Sequence, residues 1–175
     1  MNSKKAYEYA LRNGPEENTR NIACEDPEYA YRYARDIDRK PREDTRKAAC
    51  KHSLYAYWYA LEIDKRPSKD TRKAVCESSF LAYPYAKEID KSPNDETRKA
   101  ACKDPQNAYL YAVNVDKGSR EDTRQSACRD SKSAYFYMRD VDKGFHEDTC
   151  NAVLGTEYEE NYKEFLNNLM KEEII

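Results

Sequence analysis

Six cysteines and two histidines are the residues from which this chain could build a metal centre or a nucleophilic site, and their spacing argues against both. Cys24, Cys50, Cys76, Cys102 and Cys128 recur every 26 residues, with Cys150 outside the series. A zinc site needs Cys, His or carboxylates converging in one coordination sphere, and no close pair here has that spacing. If successive units stack like ordinary packed helices, about 10 Å apart, the cysteines lie beyond the ~7 Å Cα limit for a disulfide. Reduced structural thiols are the preferred reading, with redox or metal function the alternative. His52 falls at a helix junction, where an N-cap or surface role is simpler than membership of a catalytic triad. Four glycines form no phosphate-cradling loop. The expectation is a protein with no enzymatic activity, no metal and no cofactor.

The same 26-residue interval runs through everything else. Thr-Arg pairs recur at Thr19-Arg20, Thr45-Arg46, Thr71-Arg72, Thr97-Arg98 and Thr123-Arg124. Tyr-x-Tyr pairs begin at Tyr31, Tyr57, Tyr83, Tyr109 and Tyr135, and an acid follows at Asp38, Asp64, Asp90, Asp116 and Asp142. A fixed period of this length marks an array of structural repeats. At residue 149 the Thr recurs but Cys150 takes the Arg position and Leu154 the Cys position. At the other end Ala6 to Ala10 matches Ala30 to Ala34 only after a two-residue deletion. Both ends are atypical, as capping units should be.

Within a unit, Pro41, Pro67 or Pro93 with early acids predicts the first turn of a short helix carrying Thr-Arg and ending near the Cys. Asp26-Pro27 and Asp104-Pro105 read as N-cap and N1 of a second helix reaching Ile37, Ile63, Ile89, Val115 and Val141. Ala30, Tyr33, Ala34 and Ile37 share one helix face and form the predicted core, while the Tyr31, Tyr57, Tyr83, Tyr109, Tyr135 column lies about 100° away on the flank. Pro84 inside its second helix should kink it or delay its start. Gly118 and Gly144 precede the position held by Pro in earlier units. Tyr158, Tyr162, Phe165, Leu166, Leu169 and Met170 predict a terminal helix whose register with the repeat is lost. The predicted fold is all-α: an α-solenoid of about six 26-residue helix-turn-helix repeats with capping helices. It is one domain over 1–175, with a partial repeat at 1–14, repeats over 15–154 and a cap helix at 155–175.

An acid at a helix C-terminus faces the wrong end of the dipole and needs a partner. The repeated Arg is the candidate: Asp38 with Arg46, Asp64 with Arg72, Asp90 with Arg98 and Asp116 with Arg124, which leaves Asp142 unpaired where Cys150 replaces the Arg. The alternative is an exposed Arg row that binds a ligand. One outer position varies where its neighbours repeat: Arg32, Trp58, Pro84, Leu110 and Phe136. Trp58, Leu110 and Phe136 stand about 200° from the core alanine, so with Arg32 and the Tyr column they suggest a strip that binds a protein partner. Packing of this strip against the tail or against a second copy of the chain, a homodimer, is the alternative.

The motif AYxYAxxVxKG, seen as Ala108 to Ala112 with Val115 to Gly118 and again as Ala134 to Tyr137 with Val141 to Gly144, resembles short helical repeats of phage-encoded and other viral or bacterial proteins. The resemblance covers roughly residues 6 to 154. It implies a viral setting, in which the chain would inhibit a host protein, such as a defence protein, by blocking its surface. This chain departs from the pattern in carrying its own Thr-Arg-Lys-Ala-Ala-Cys helix and an Asp where a second apolar residue belongs.

Acids and bases nearly balance, 33 against 31 for a net charge of −2. A groove that tracks a nucleic-acid backbone needs an unbalanced positive stripe. RNA or single-stranded nucleic-acid binding through Tyr stacking and Arg contacts is therefore the second reading, after protein binding. No stretch approaches the ~20 apolar residues of a membrane span, and the first residues lack the apolar run of a signal peptide. The expectation is a cytoplasmic protein without membrane contact, in the host cytoplasm if phage-encoded.

Overall fold

The computed structural model describes residues 1–172, and in it thirteen short α-helices and five π-helical segments follow one another with no strand among the described residues. Helix α1 (Ser3–Asn13) precedes five helix pairs: α2 (Glu17–Ala23) with α3 (Pro27–Tyr33), α4 (Glu43–Ala49) with α5 (Ser53–Trp58), α6 (Lys69–Val75) with α7 (Ser79–Tyr85), α8 (Asp95–Ala101) with α9 (Pro105–Tyr111), and α10 (Glu121–Ala127) with α11 (Ser131–Tyr137). A last pair, α12 (Glu147–Val153) and α13 (Glu159–Glu172), closes the array. The second helices α3, α5, α7, α9 and α11 each touch the next, and among the first helices α4 touches α6, α6 touches α8 and α10 touches α12, so the chain is an all-α solenoid of two layers. No described helix is long and apolar enough to cross a membrane.

The core explains why the repeat uses alanine so heavily. Ala30, Ala34, Ala49, Ala56, Ala60, Ala82 and Ala86 are wholly buried and let helix axes approach, while one large ring per unit fills the space between layers. That ring is Tyr33, Tyr59, Tyr85, Tyr111 or Tyr137, each 0% exposed. A buried phenol needs partners. Tyr33 Oη lies 2.9 Å from Thr19 Oγ1 and exchanges 3.1 Å bonds with the backbone N–H and C=O of Glu16, just ahead of α2. The four later rings repeat this contact with Thr45, Thr71, Thr97 and Thr123.

Several local expectations need correction. The second helices do not end as α-helix: from Ala34, Tyr59, Ala86, Ala112 and Met138 the hydrogen bonding widens to π geometry up to the Asp, as in Lys91 N–H to Ala86 C=O at 2.8 Å. A left-handed residue follows each time, and it is never glycine: Arg39, Lys65, Lys91, Lys117 and Lys143 have φ of 53 to 54°. Pro41, Pro67 and Pro93 stand one residue outside the N-caps Arg42, Ser68 and Asn94, not at N1, because the chain must still be extended there to turn into the first helix. Pro84 delays nothing, since α7 starts at Ser79 in step with the others. The carbonyl its missing N–H leaves free belongs to Phe80, whose residue is 71% exposed and open to water. Finally, the tail keeps the repeat's logic with a one-residue slip: Tyr162 is buried in α13 and its Oη lies 3.5 Å from Thr149 Oγ1, the contact made by Tyr33 in the first unit.

Candidate partner-binding face

Both layers have a solvent side, and they differ. On the first helices it presents charged or polar side chains such as Lys47, Lys73, Lys99 and Gln125, all exposed. On the second helices three positions spaced four and three residues apart share one face. In the second unit they are Leu54 (39% exposed), Trp58 (37%) and half-buried Leu61; in the third, Phe80 (71%), Pro84 and Lys87. In the fourth they are Gln106, Leu110 and Val113. The flanking units are charged: Glu28, Arg32 and Arg35 in the first, Lys132 and Arg139 around Phe136 in the fifth. The face thus carries its exposed apolar side chains Leu54, Trp58 and Phe80 over its middle, with Lys87 and Gln106 beside them, and is ionic at both ends.

Between neighbouring second helices this face is grooved. Glu28, Tyr31, Arg32, Arg35, Tyr55, Trp58 and Glu62 line one groove, and Gln106, Tyr109, Asp130, Lys132, Ser133, Phe136 and Arg139 the other. The two are built alike. Arg35 stands over the Tyr31 ring at 5.1 Å and grips Asp36 through two nitrogens; Arg139 stands over Phe136 at 4.6 Å and grips Asp140 in the same way. Phe136 also stacks on Tyr109 at 5.9 Å.

The Tyr column serves the fold before it serves any partner. Tyr31 donates to Glu62, Tyr57 to Glu88 and Tyr109 to Asp140, in each case 31 residues ahead in the next unit. Burial, reinforced by those carboxylates, pushes the Tyr31 and Tyr109 phenols up to about 12. Tyr31 and Tyr57 are buried, at 5% and 7% exposed, while Tyr83, Tyr109 and Tyr135 are half-buried. Tyr83 lacks the tie because Asn114 stands where the others have an acid.

The Arg and Asp residues pair, but not as the sequence suggested. Arg46 grips Asp64 through Nε and Nη2 at 2.8 and 2.7 Å, and Arg20 grips Asp38, Arg72 Asp90 and Arg124 Asp142 likewise. The expected pairs Asp38 with Arg46, Asp64 with Arg72, Asp90 with Arg98 and Asp116 with Arg124 are replaced by the Arg 18 residues upstream, and Asp142 is not left unpaired. The reason is directional: Thr and Arg both point forward from the start of the first helix to the end of the second helix of the same unit, which runs antiparallel to it. The carboxylates are 1–7% exposed, so this is an internal tie and not an exposed Arg row.

One rung is broken. Arg98 turns its Nε to Asp122 and its Nη2 to Asp95, leaving Asp116 3.5 Å from Nη1 and 3.4 Å from Arg120 Nε without a hydrogen bond on either oxygen. Burial raises the Asp116 carboxyl above the ordinary range, the two guanidinium groups offsetting this only in part.

The ladder cysteines and both histidines sit at helix ends. The ladder cysteines cap the first helices half-buried, where burial pushes the thiols up to about 11 at Cys24, Cys76 and Cys128 and about 12 at Cys50 and Cys102. His52 Nδ1 accepts from Leu54 N–H and His146 Nδ1 from Asp148 N–H, both as N-caps. No group of three metal-ligating residues converges among the described residues.

Sequence reasoning does not pick out Leu54 and Phe80, which sit in the first turn of their helices beside the residues that mark the cap. Their spacing of four from Trp58 and Pro84 was the available signal. Comparison with protein-family models, with curated proteins and with solved structures finds no match for the chain.

Proposed function

We propose that the protein is a non-enzymatic scaffold that binds another protein along the outer face of its second helices. The observation that carries this is the exposure of Phe80, Trp58 and Leu54 side by side on adjacent helices of an otherwise strongly charged chain. Aromatic anchors in a contiguous apolar patch are what protein interfaces use, and isolated solubility disfavours them. Grooves flanked by Arg35 and Arg139 give the patch polar ends, as an interface rim requires.

Nucleic-acid binding fares worse on the same residues. The Tyr rings that would stack on bases are tied at their phenols to Glu62, Glu88 and Asp140, carboxylates that repel phosphate. Catalysis fares worse still, because burial disfavours the thiolate at the five ladder cysteines and the imidazoles are occupied as caps.

The test is capture of partners by the tagged chain from nuclease-treated lysate, comparing wild type with Trp58→Ala and Phe80→Glu. Capture of one protein, lost in both variants while their helical circular dichroism is unchanged, supports the proposal. Capture indifferent to both substitutions, or abolished by nuclease, overturns it.

A further inference from the structure

We infer that the end of the array formed by α1 is a docking edge for a helix of another protein, one that carries two carboxylates and two alanines at a set spacing. This edge is separate from the outer face of the second helices, and the inference goes beyond that reading. Helix α1 is built as a second helix: Ala6 and Ala10 are buried as Ala30 and Ala34 are, and Ala10 packs with Tyr33 of the next unit. Its Tyr9 holds the place of Tyr33, Tyr59, Tyr85, Tyr111 and Tyr137. Those rings are 0% exposed, whereas Tyr9 is 41% exposed, because among the described residues no helix precedes α1. The other end of the array is closed. In α13, where Tyr162 is the buried ring, the two positions held elsewhere by alanine, and once by Met138, are Glu159 and Lys163, which pair with each other at 2.6 Å. A charged pair there keeps a further helix away and leaves α1 as the open end.

The units themselves show what fits such an edge. The side of α3 that meets α1 presents Tyr29, four residues before Tyr33, and Asp36, three after it. Tyr29 packs on the Tyr7 ring at 5.9 Å, and Asp36 accepts from the Tyr7 phenol at 2.8 Å. One unit on, Tyr55 and Glu62 hold the same two positions around Tyr59 and bond Glu28 and Tyr31. In α1 these positions are Lys5 and Arg12, both exposed and in no ion pair among the described residues. Glu8, the acid between them, stands 3.9 Å from Lys4. A cation at the place of Tyr55 calls for a carboxylate where Glu28 has one, and a guanidinium at the place of Glu62 calls for another where Tyr31 stands, three residues later. Ala30 and Ala34 set the remaining requirement, since small side chains leave room for the ring between the helices. The partner helix therefore runs parallel to α1 with the pattern Glu-x-Ala-Glu-x-x-Ala. The C-terminal helix of a second copy does not supply it, because Glu159 and Lys163 replace both alanines.

The probe is a fluorophore-labelled, alanine-rich peptide of about 18 residues with that pattern at its centre, long enough to hold a helix in water. Titration with the full chain at low salt, followed by fluorescence anisotropy, is expected to give saturable binding that weakens about tenfold or more when both glutamates become glutamine. Lys5→Glu with Arg12→Glu is expected to lose this peptide and to take up a version with lysine in place of both glutamates. Both residues are exposed, and unchanged helical circular dichroism checks the fold. Leucine in place of the two alanines is expected to abolish binding. No saturable binding, or binding indifferent to the charge exchange, overturns the inference. So does a wild-type chain whose mass by sedimentation rises above the 20.5 kDa of one copy and returns to it in Lys5→Glu with Arg12→Glu, which would give the edge to a second copy. Phe80→Glu is expected to leave peptide binding unchanged, so failure of this edge and failure of the outer face are read separately; peptide binding lost in Phe80→Glu puts the peptide on that face and overturns the inference as well.

Discussion

The phenol of Tyr59 closes the start of helix α4: its Oη lies 2.9 Å from Thr45 Oγ1 and 3.0 Å from both the N–H and the C=O of Arg42. Three polar groups at a buried helix N-terminus are thereby satisfied by one side chain reaching back fourteen residues. The arrangement recurs down the array, so a single hydroxyl per unit joins the two layers.

Replacing Tyr59 by Phe keeps the packing and removes only that hydroxyl. Thr45 and the Arg42 backbone would be left short of partners, and the expected loss is about 1 to 3 kcal/mol. Urea unfolding of Tyr59→Phe checks this. Tyr162→Phe, whose contacts to Thr149 and His146 are longer at 3.5 and 3.3 Å, is expected to cost less.

The broken rung gives opposite outcomes for two equivalent residues. Asp64→Asn deprives half-buried Arg46 of its counter-charge and is expected to cost about 3 kcal/mol at neutral pH. Asp116→Asn is expected to raise the unfolding midpoint. Burial holds the Asp116 carboxyl above its unfolded value, so the native chain binds this proton more tightly than the unfolded one, and stability falls as pH rises from the unfolded value through the folded one. The advantage of Asp116→Asn should accordingly vanish below the unfolded value of about 3.9. Thermal unfolding of both variants from acid to neutral pH distinguishes them.

Lys91 occupies the left-handed region at φ 54°, where a Cβ costs roughly 1 to 2 kcal/mol. Lys91→Gly removes that strain, at the cost of about 0.5 to 1 kcal/mol in unfolded-chain freedom and of a cation at a helix C-terminus. A small net gain, a fraction of a kcal/mol, is expected in denaturant unfolding. Lys91→Val, whose branched side chain fits this region worst, is expected to be clearly destabilising.

The ladder thiols should be unreactive while the chain is folded. With Cys50 and Cys102 pushed up to about 12, almost no thiolate exists at pH 8, and an aromatic disulfide reagent should modify them far more slowly in buffer than in denaturant. The same raised values make the fold lose stability as pH climbs above the ordinary thiol value of about 8.5. Reagent uptake followed with and without urea, and melting in the alkaline range, test the two consequences.

Cys24 to Cys128 and Tyr33 to Tyr137 made the repeat legible, because one side chain per 26 residues must meet the same surroundings each time. The pairing of Asp38 was legible as a need and misread in direction: both Arg20 and Arg46 lie on helices antiparallel to its own, and sequence spacing favours the nearer. The π segments left no trace, since the apolar positions Ala34 and Ile37 suit either helix over so short a stretch. Trp58 and Phe136 announced the candidate face by varying in a constant context; Leu54 and Phe80 did not, because the turn they open is one where exposed residues are normal.

Every tie in the array is short in sequence: 14 residues for Tyr59 with Thr45 and 18 for Arg46 with Asp64 within a unit, and 31 for Tyr57 with Glu88 between neighbouring units. Among the described residues nothing binds the first unit to the last. A gene for such a protein can lose or gain one whole period and still encode a closed array, because each new junction restores the same neighbours. Its length, and with it the number of rungs on any surface it presents, is therefore open to change by recombination without the fold having to be found anew.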